Sequence, residues 1–344
     1  MTIYSMKFLK WLMIAAAAAL LVAVLVGANW YKTVNKPLAA DQPVFFSVKE
    51  GATLRSVAKE WQERELIASA NTLVWLSRVE GQKPILAADY EFPVGTTLKQ
   101  AYEALISGSL RSPERQVTIV EGLTLEQIAA QLEEEGFIED EDEFIKAAST
   151  ELSRFASRFS FLASKPEGAS LEGYLFPDTY RFLAQTTSDE IIAKMLGNFD
   201  RKLSDEMRRQ IQSSGRTIHQ AVTLASIVER EVRSADEMRL VAGLFANRLE
   251  IGMALQADST INYLTKSGRD RSTFADLEID SPYNTYKYAG LPPGPISNPG
   301  FNALQAAADP KDSDYLYFLT DSKGKVYYAA NHDGHLRNRT LYLD

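Results

Sequence analysis

A chain of 344 residues with 45% hydrophobic and 24% charged side chains is long enough for two or more domains and can bury real cores. Its formal net charge of −8 argues against a nucleic-acid partner, which would favour a basic stripe, and no run interleaves Lys or Arg with aromatics. The absence of cysteine rules out disulfides, thiolate nucleophiles and thiolate metal sites, and the histidines His219, His332 and His335 form no HExxH arrangement, so no zinc site or other metal is expected.

Trp11 to Tyr31 carries no charge, with Lys7 and Lys10 before it and Lys32 and Lys36 after it. An apolar run of about 18 residues or more predicts a transmembrane helix. Trp11, Trp30 and Tyr31 stand at its two ends, where amphipathic aromatics favour the headgroup region. The expectation is a cytoplasmic N-terminus over 1–10, an uncleaved anchor over 11–31, and everything beyond Lys32 outside the cytoplasm in a single pass. A cleaved signal ending at Val26-Gly27-Ala28 is the other reading. Residues 32–42, polar and containing Pro37, read as a linker.

Beyond the linker the chain repeats itself. Ser47 to Ile67 and Thr118 to Ile138 align at constant offset, with Glu50, Gly51, Thr53, Leu54, Ala58 and Ile67 matching Glu121, Gly122, Thr124, Leu125, Ala129 and Ile138. Each copy predicts a short strand, a tight turn at the glycine and a helix capped by its threonine, with Gln127 at the capping-box position of the second. A duplicated packing unit is the function-neutral reading. The pattern EGxTLxxIA also resembles the strand–turn–helix of LysM modules, which bind N-acetylglucosamine polymers. Leu86 to Phe92 and a helix over Thr97 to Ile106 complete the first unit, giving units over 43–112 and 113–165. The acidic run Glu139 to Glu143 predicts the start of a solvated helix.

A third region spans 166–344. In SLEGYLFPDTYRF (Ser170 to Phe182), Pro177 prevents a continuous helix, and Glu172 is the polar residue to watch. Ser188 to Gln212 predicts a long amphipathic helix broken near Gly197. Ala221 to Gln256 predicts a helix, a short break and a second helix. On the first, Ala221, Leu224, Ala225, Val228 and Val232 form an apolar face; Glu229 and Glu231 fall within the apolar arc at its two edges, and Thr223, Ser226 and Arg230 take the polar side. A carboxyl group held in apolar surroundings has a raised pKa and can protonate a leaving group near neutral pH. Periodicity does not choose between the two glutamates, and a salt bridge to Arg230 or Arg233 is the structural alternative. Downstream, Gln256, Asp258, Thr260, Tyr263, Asn284, Tyr286 and Asn298 supply the hydroxyls, amides and rings that suit sugar edges and faces, in a region stiffened by the prolines of Gly290 to Gly300. Asn302 to Ala308 predicts a short helix, and Tyr315 to Leu319 with Lys325 to Tyr328 a terminal hairpin.

These stretches together resemble the endolytic murein transglycosylases of the MltG/YceG-like family across essentially the whole chain. The strongest motifs are EGYLFPDTY (Glu172 to Tyr180), LASIVERE (Leu224 to Glu231), NRLEIGMALQADSTINY (Asn247 to Tyr263) and YNTY with GLPPGPISNPG (Tyr283 to Gly300). The resemblance implies an α+β architecture: an N-terminal transmembrane helix, LysM-like strand–helix units and a C-terminal catalytic domain. It implies Glu229, the first glutamate of the LASIVExE motif, as the catalytic residue. It further implies cleavage of the MurNAc–GlcNAc bonds of peptidoglycan glycan strands to 1,6-anhydroMurNAc ends, with no cofactor. The setting it implies is the inner (cytoplasmic) membrane, facing the periplasmic side, with peptidoglycan synthases (penicillin-binding proteins) as partners. Glu172, Glu231, Gln256, Asp258, Thr260, Tyr263, Asn284, Tyr286 and Asn298 are expected at the substrate. Near His335 the family pattern departs at Asn331 and Gly334, so His335 receives no role. A non-catalytic wall-binding scaffold and a hydrolase using a second acid are the competing readings.

Overall fold

The uncharged N-terminal run lies within one long helix, α1 (Thr2–Val34). Its stretch Trp11–Val34 is, among the described residues, the one helix long and apolar enough to cross a membrane. The computed structural model describes residues 2–112, 114–151, 153–183, 186–267 and 272–343; the expected boundary at Pro113 lies outside them. Small two-stranded antiparallel sheets set among many helices make the chain α+β. It divides into two compact units, one formed by the residues up to Glu114 together with Leu183 and one formed by Arg115–Phe182 and the residues from Thr186 onward.

The first unit contains β1 (Val44–Val48), α2 (Leu54–Glu63), α3 (Ala70–Val79), β2 (Ala88–Phe92) and α4 (Leu98–Ser107). β1 and β2 pair antiparallel, from Val44 opposite Phe92 to Val48 opposite Ala88. The Thr53 side chain accepts the Ser56 N–H and closes a capping box at the start of α2. Trp61 of α2 lies edge-on to Phe46 and Phe92, with centroids 5.5 and 5.4 Å away. Each such pair contributes about 0.5–1.5 kcal/mol beyond its buried area. The stretch expected as a linker over 32–42 is tied to this unit. Val34 and Leu38 are apolar and enter its core, and the Leu38 N–H donates to the Thr96 carbonyl.

The second unit begins with β3 (Arg115–Thr118), α5 (Leu125–Glu134), α6 (Glu141–Ser149), the short α7 (Ser153–Ala156) and β4 (Thr179–Phe182). Thr124 and Gln127 form the expected capping box on α5, and Asp140 caps α6 as its acidic first turn predicts. β3 pairs antiparallel with β4, Arg115 opposite Phe182 and Thr118 opposite Thr179. The strand that completes the second repeat therefore comes from the EGYLFPDTY stretch, and residues 115–165 share one core with the later helices of this unit.

Next come α8 (Ser188–Lys202), α9 (Asp205–Ser213), α10 (Ile218–Glu231), α11 (Ala235–Glu250), α12 (Asp258–Thr265), α13 (Phe274–Leu277) and α14 (Phe301–Ala308). The hairpin β5 (Tyr317–Thr320) and β6 (Val326–Ala329) and a final helix α15 (His332–Tyr342) close the chain. The expected break near Gly197 occurs instead after Lys202, because the Ser204 side chain caps a new helix by accepting the Met207 N–H. α10 is the central helix, and it is buried on the side read as polar too: Thr223 and Ser226 are 1% and 0% exposed. The Ser226 hydroxyl accepts the Ile296 N–H and donates to the Thr223 carbonyl, so the 290–300 loop packs where solvent was expected.

Candidate active site

Successive residues of a helix are rotated by about 100°, so Glu229 and Glu231, two apart at the end of α10, point in nearly opposite directions. Each finds a different partner. The Glu229 Oε2 accepts the Gly300 N–H at 2.9 Å. The Glu231 Oε1 accepts the Ser259 hydroxyl at 2.7 Å, on α12.

Glu229 is half-buried. Burial raises its pKa, the Gly300 N–H pulls it back, the charge of Glu121 raises it and that of Arg230 lowers it. Gly300, the N-cap residue of α14, has φ −76° and ψ 178°, backbone open to any residue. The Glu121 carboxylate lies where a Gly300 Cβ would stand, so a side chain there would displace the end of that glutamate. Glu121 belongs to the turn of the second repeat. That turn needs Gly122 at φ 79°, and a Cβ at Gly122 would lie 3.4 Å from Arg230 Cδ and 3.6 Å from Glu229 Cγ. The Arg230 Nη1 donates to the Gly122 carbonyl at 3.1 Å, which turns its charge toward the turn.

Asn298 locks this turn to the 290–300 loop. Its carbonyl accepts the Gly122 N–H, its N–H donates to the Leu123 carbonyl, and its Nδ2 donates to Leu123 O at 3.0 Å and Glu172 Oε1 at 2.9 Å. Its Oδ1 accepts the Leu175 N–H. Glu172, 4% exposed, also accepts the Leu125 N–H at the start of α5. Burial pushes its carboxyl up to about 8, against the pull of these donors.

Around Glu231 lies a second cluster. Burial raises the Glu231 pKa, and the Ser259 hydroxyl and N–H oppose the rise. Asp258 accepts the Tyr286 hydroxyl at 3.0 Å. Arg248, 5% exposed, donates to the Leu255 and Leu316 carbonyls and lies over the Tyr317 ring. His335 stacks on the same ring, its centroid 5.4 Å from that of Tyr317.

The remaining expected residues divide by exposure. Gln256 is exposed at φ 49°, Tyr263 and Tyr286 are half-buried, and Tyr263 packs on Tyr283 at 5.3 Å. Thr260, Asn284 and Asn298 are fully buried. Thr260 bonds to Thr285 and the Ala257 carbonyl, and Asn284 bonds to the Leu277 and Ile279 carbonyls. These three side chains brace the loops, where direct sugar contact had been expected of them. Glu121, Gly300, Ser259 and Arg248 were not singled out for the site. Glu121 alone carried a signal, its place in the repeated EG turn.

The model of the YceG-like family matches residues 46–340. The chain belongs to this family. It is 31% identical over 328 residues to the endolytic murein transglycosylase of Bacillus subtilis (strain 168), an alignment that takes in 92% of this chain and 90% of that protein. It is 32% identical over 329 residues to the endolytic murein transglycosylase of Streptococcus pneumoniae serotype 2 (strain D39 / NCTC 7466); 88% of this chain is aligned, and it spans 59% of that relative's length. Among solved structures, a yceG-like protein from Listeria monocytogenes superposes with a TM-score of 0.60 at 29% identity, over 87% of this chain and 99% of that one.

Proposed function

We propose that this chain is a membrane-anchored endolytic murein transglycosylase that cuts peptidoglycan glycan strands between MurNAc and GlcNAc, with Glu229 as its general acid and base. The family membership and the names of its relatives support the reaction class. The setting of Glu229 supports the residue: a half-buried carboxyl with a raised pKa that accepts the Gly300 N–H. A raised pKa increases the protonated share of the carboxyl, the form a general acid requires.

In the proposed reaction Glu229 gives its proton to the glycosidic oxygen as the bond to muramyl C1 breaks. The resulting carboxylate, steadied by the Gly300 N–H, takes the proton of the muramyl C6 hydroxyl as that oxygen closes onto C1. The leaving sugar gains a hydroxyl, Glu229 is protonated again, and no water is consumed. Glycosidases ordinarily use two carboxylates because the second must activate water or bond to the sugar. Here the nucleophile belongs to the substrate, which removes much of the entropy of bringing it in. Gln256, Tyr263, Tyr286 and Asp258, which keep exposed surface, are assigned to glycan contact, Glu231 to holding Ser259 at the start of α12, and Glu172 to holding Asn298 and the start of α5. Thr260, Asn284 and Asn298 are assigned to holding the loops.

The apolar stretch Trp11–Val34 supports anchoring, with the body of the chain on the outer face of the inner membrane. Nearness to peptidoglycan synthases, the penicillin-binding proteins, follows from the family resemblance and would bring the enzyme to newly made strands. The test is mass analysis of glycan fragments released by the full chain in detergent. Anhydromuramyl ends, one water lighter than hydrolytic ends, are expected. Reducing muramic ends would replace this reading with hydrolysis, and no release from folded protein would replace it with a binding role.

A further inference from the structure

The turn of the second repeat reaches the surroundings of Glu229, and nothing in the general acid–base scheme uses the carboxylate it brings. Glu121 is exposed, and among the described residues no hydrogen bond or ion pair holds its carboxylate. It lies where a Cβ on Gly300 would stand, beside the residue whose N–H binds Glu229. The backbone of the same turn is fixed from both sides by the Gly122 and Asn298 hydrogen bonds and by Arg230.

We propose that Glu121 is a positioning residue of this site, a second carboxylate that the repeat turn delivers to the Gly300 corner to act on Glu229. The inference rests on the reading of Glu229 as the acid. Among the described residues, the groups acting on Glu229 are Glu121 from the turn before α5, the Gly300 N–H at the start of α14, and Arg230 on its own helix. Two of these, the N–H donor and the arginine, favour the ionised form. Glu121 opposes both, because a like charge close by disfavours ionisation of Glu229. A Cβ on Gly300 would stand where the Glu121 carboxylate lies and so would push it away from this corner.

The geometry also explains why a LysM-like repeat is built into this unit. The first copy carries the same dipeptide, Glu50-Gly51, in the same turn, with open space where the second has Glu229 and Arg230.

The experiment is a carboxyl carbon-13 NMR titration of the full chain in detergent, with the Glu229 signal assigned by its loss in Glu229→Gln. Glu121→Gln and Gly300→Ala are the test variants; the second keeps the carboxylate and denies it its place. Glu229 is expected to titrate at lower pH in both and at the wild-type position in Glu50→Gln. In parallel, the alkaline limb of anhydromuramyl release should move to lower pH in Glu121→Gln, which a purely structural loss would not do. An unmoved Glu229 titration in either test variant, or an equal shift in Glu50→Gln, overturns the proposal. The titration needs no turnover, so its failure is separable from a failure to release anhydro ends, which would instead strike the transglycosylase reading.

Discussion

Glu50-Gly51 and Glu121-Gly122 turn the chain with glycine φ angles of 80° and 79°, each just ahead of a helix capped by threonine. The local structure is the same in both copies. The first turn faces open space, and its helix buries Trp61 among the aromatics of its own unit. The second is bonded to Asn298 and Arg230 and stands against Glu229. A repeated motif thus specifies a shape, and the elements that pack behind that shape decide whether it serves the chemistry. The return strand makes the same point. In the first copy β2 closes the repeat locally, and in the second β4 does so from within the stretch that carries Glu172.

The largest effect should come from the residue that distinguishes the second setting. Glu229→Gln is expected to lower fragment release by about 10²-fold or more, the usual contribution of a general acid–base, with the thermal midpoint kept or raised. Loss of release together with unfolding would leave Glu229 structural and break the comparison.

Glu172, which binds the start of α5, has no counterpart at α2. Its folded pKa of about 8 lies above the ordinary carboxylate value of 4.5, so between those values the folded chain holds a proton the unfolded chain has lost. Stability is therefore fully present below about pH 4.5 and declines as pH rises to about 8. The decline is on the order of a few kcal/mol. Glu172→Gln should flatten it in denaturant unfolding at a series of pH values; an unchanged slope would show that the donors, and not burial, govern this group.

Gly51→Ala and Gly122→Ala form a matched pair. Each forces a side chain into left-handed backbone and should destabilise its own unit by roughly 1–2 kcal/mol. Only Gly122→Ala, whose Cβ would meet Arg230 and Glu229, should also reduce turnover. Equal losses of activity would erase the difference between the two turns. At the small end, Glu50→Gln should change neither melting nor release, since a solvated surface charge is worth within about ±0.5 kcal/mol.

Much of this was legible in the sequence because it is local. The threonine caps, the long apolar N-terminal helix and the α10–α11 pair follow from side-chain pattern within a few residues. The two carboxylates of α10 were visible as intruders in an apolar helix, although periodicity could not say which mattered; their opposite partners, Gly300 and Ser259, depend on contacts far along the chain. α15 was missed because it buries no residue and so shows no amphipathic pattern. Thr260, Asn284 and Asn298 have the composition of a sugar site, yet their donors and acceptors are used inside the protein. Glu121 was read as half of a repeat, since nothing near it in sequence announces Glu229.

The central claim, that Glu229 carries out proton transfer without water as nucleophile, is tested most directly by one comparison. Peptidoglycan strands would be digested with the full chain and with Glu229→Gln, both checked for folding, and the released ends weighed. Anhydromuramyl ends from the wild type and none from the variant are predicted. Equal release from both proteins, or reducing ends from the wild type, would contradict the account.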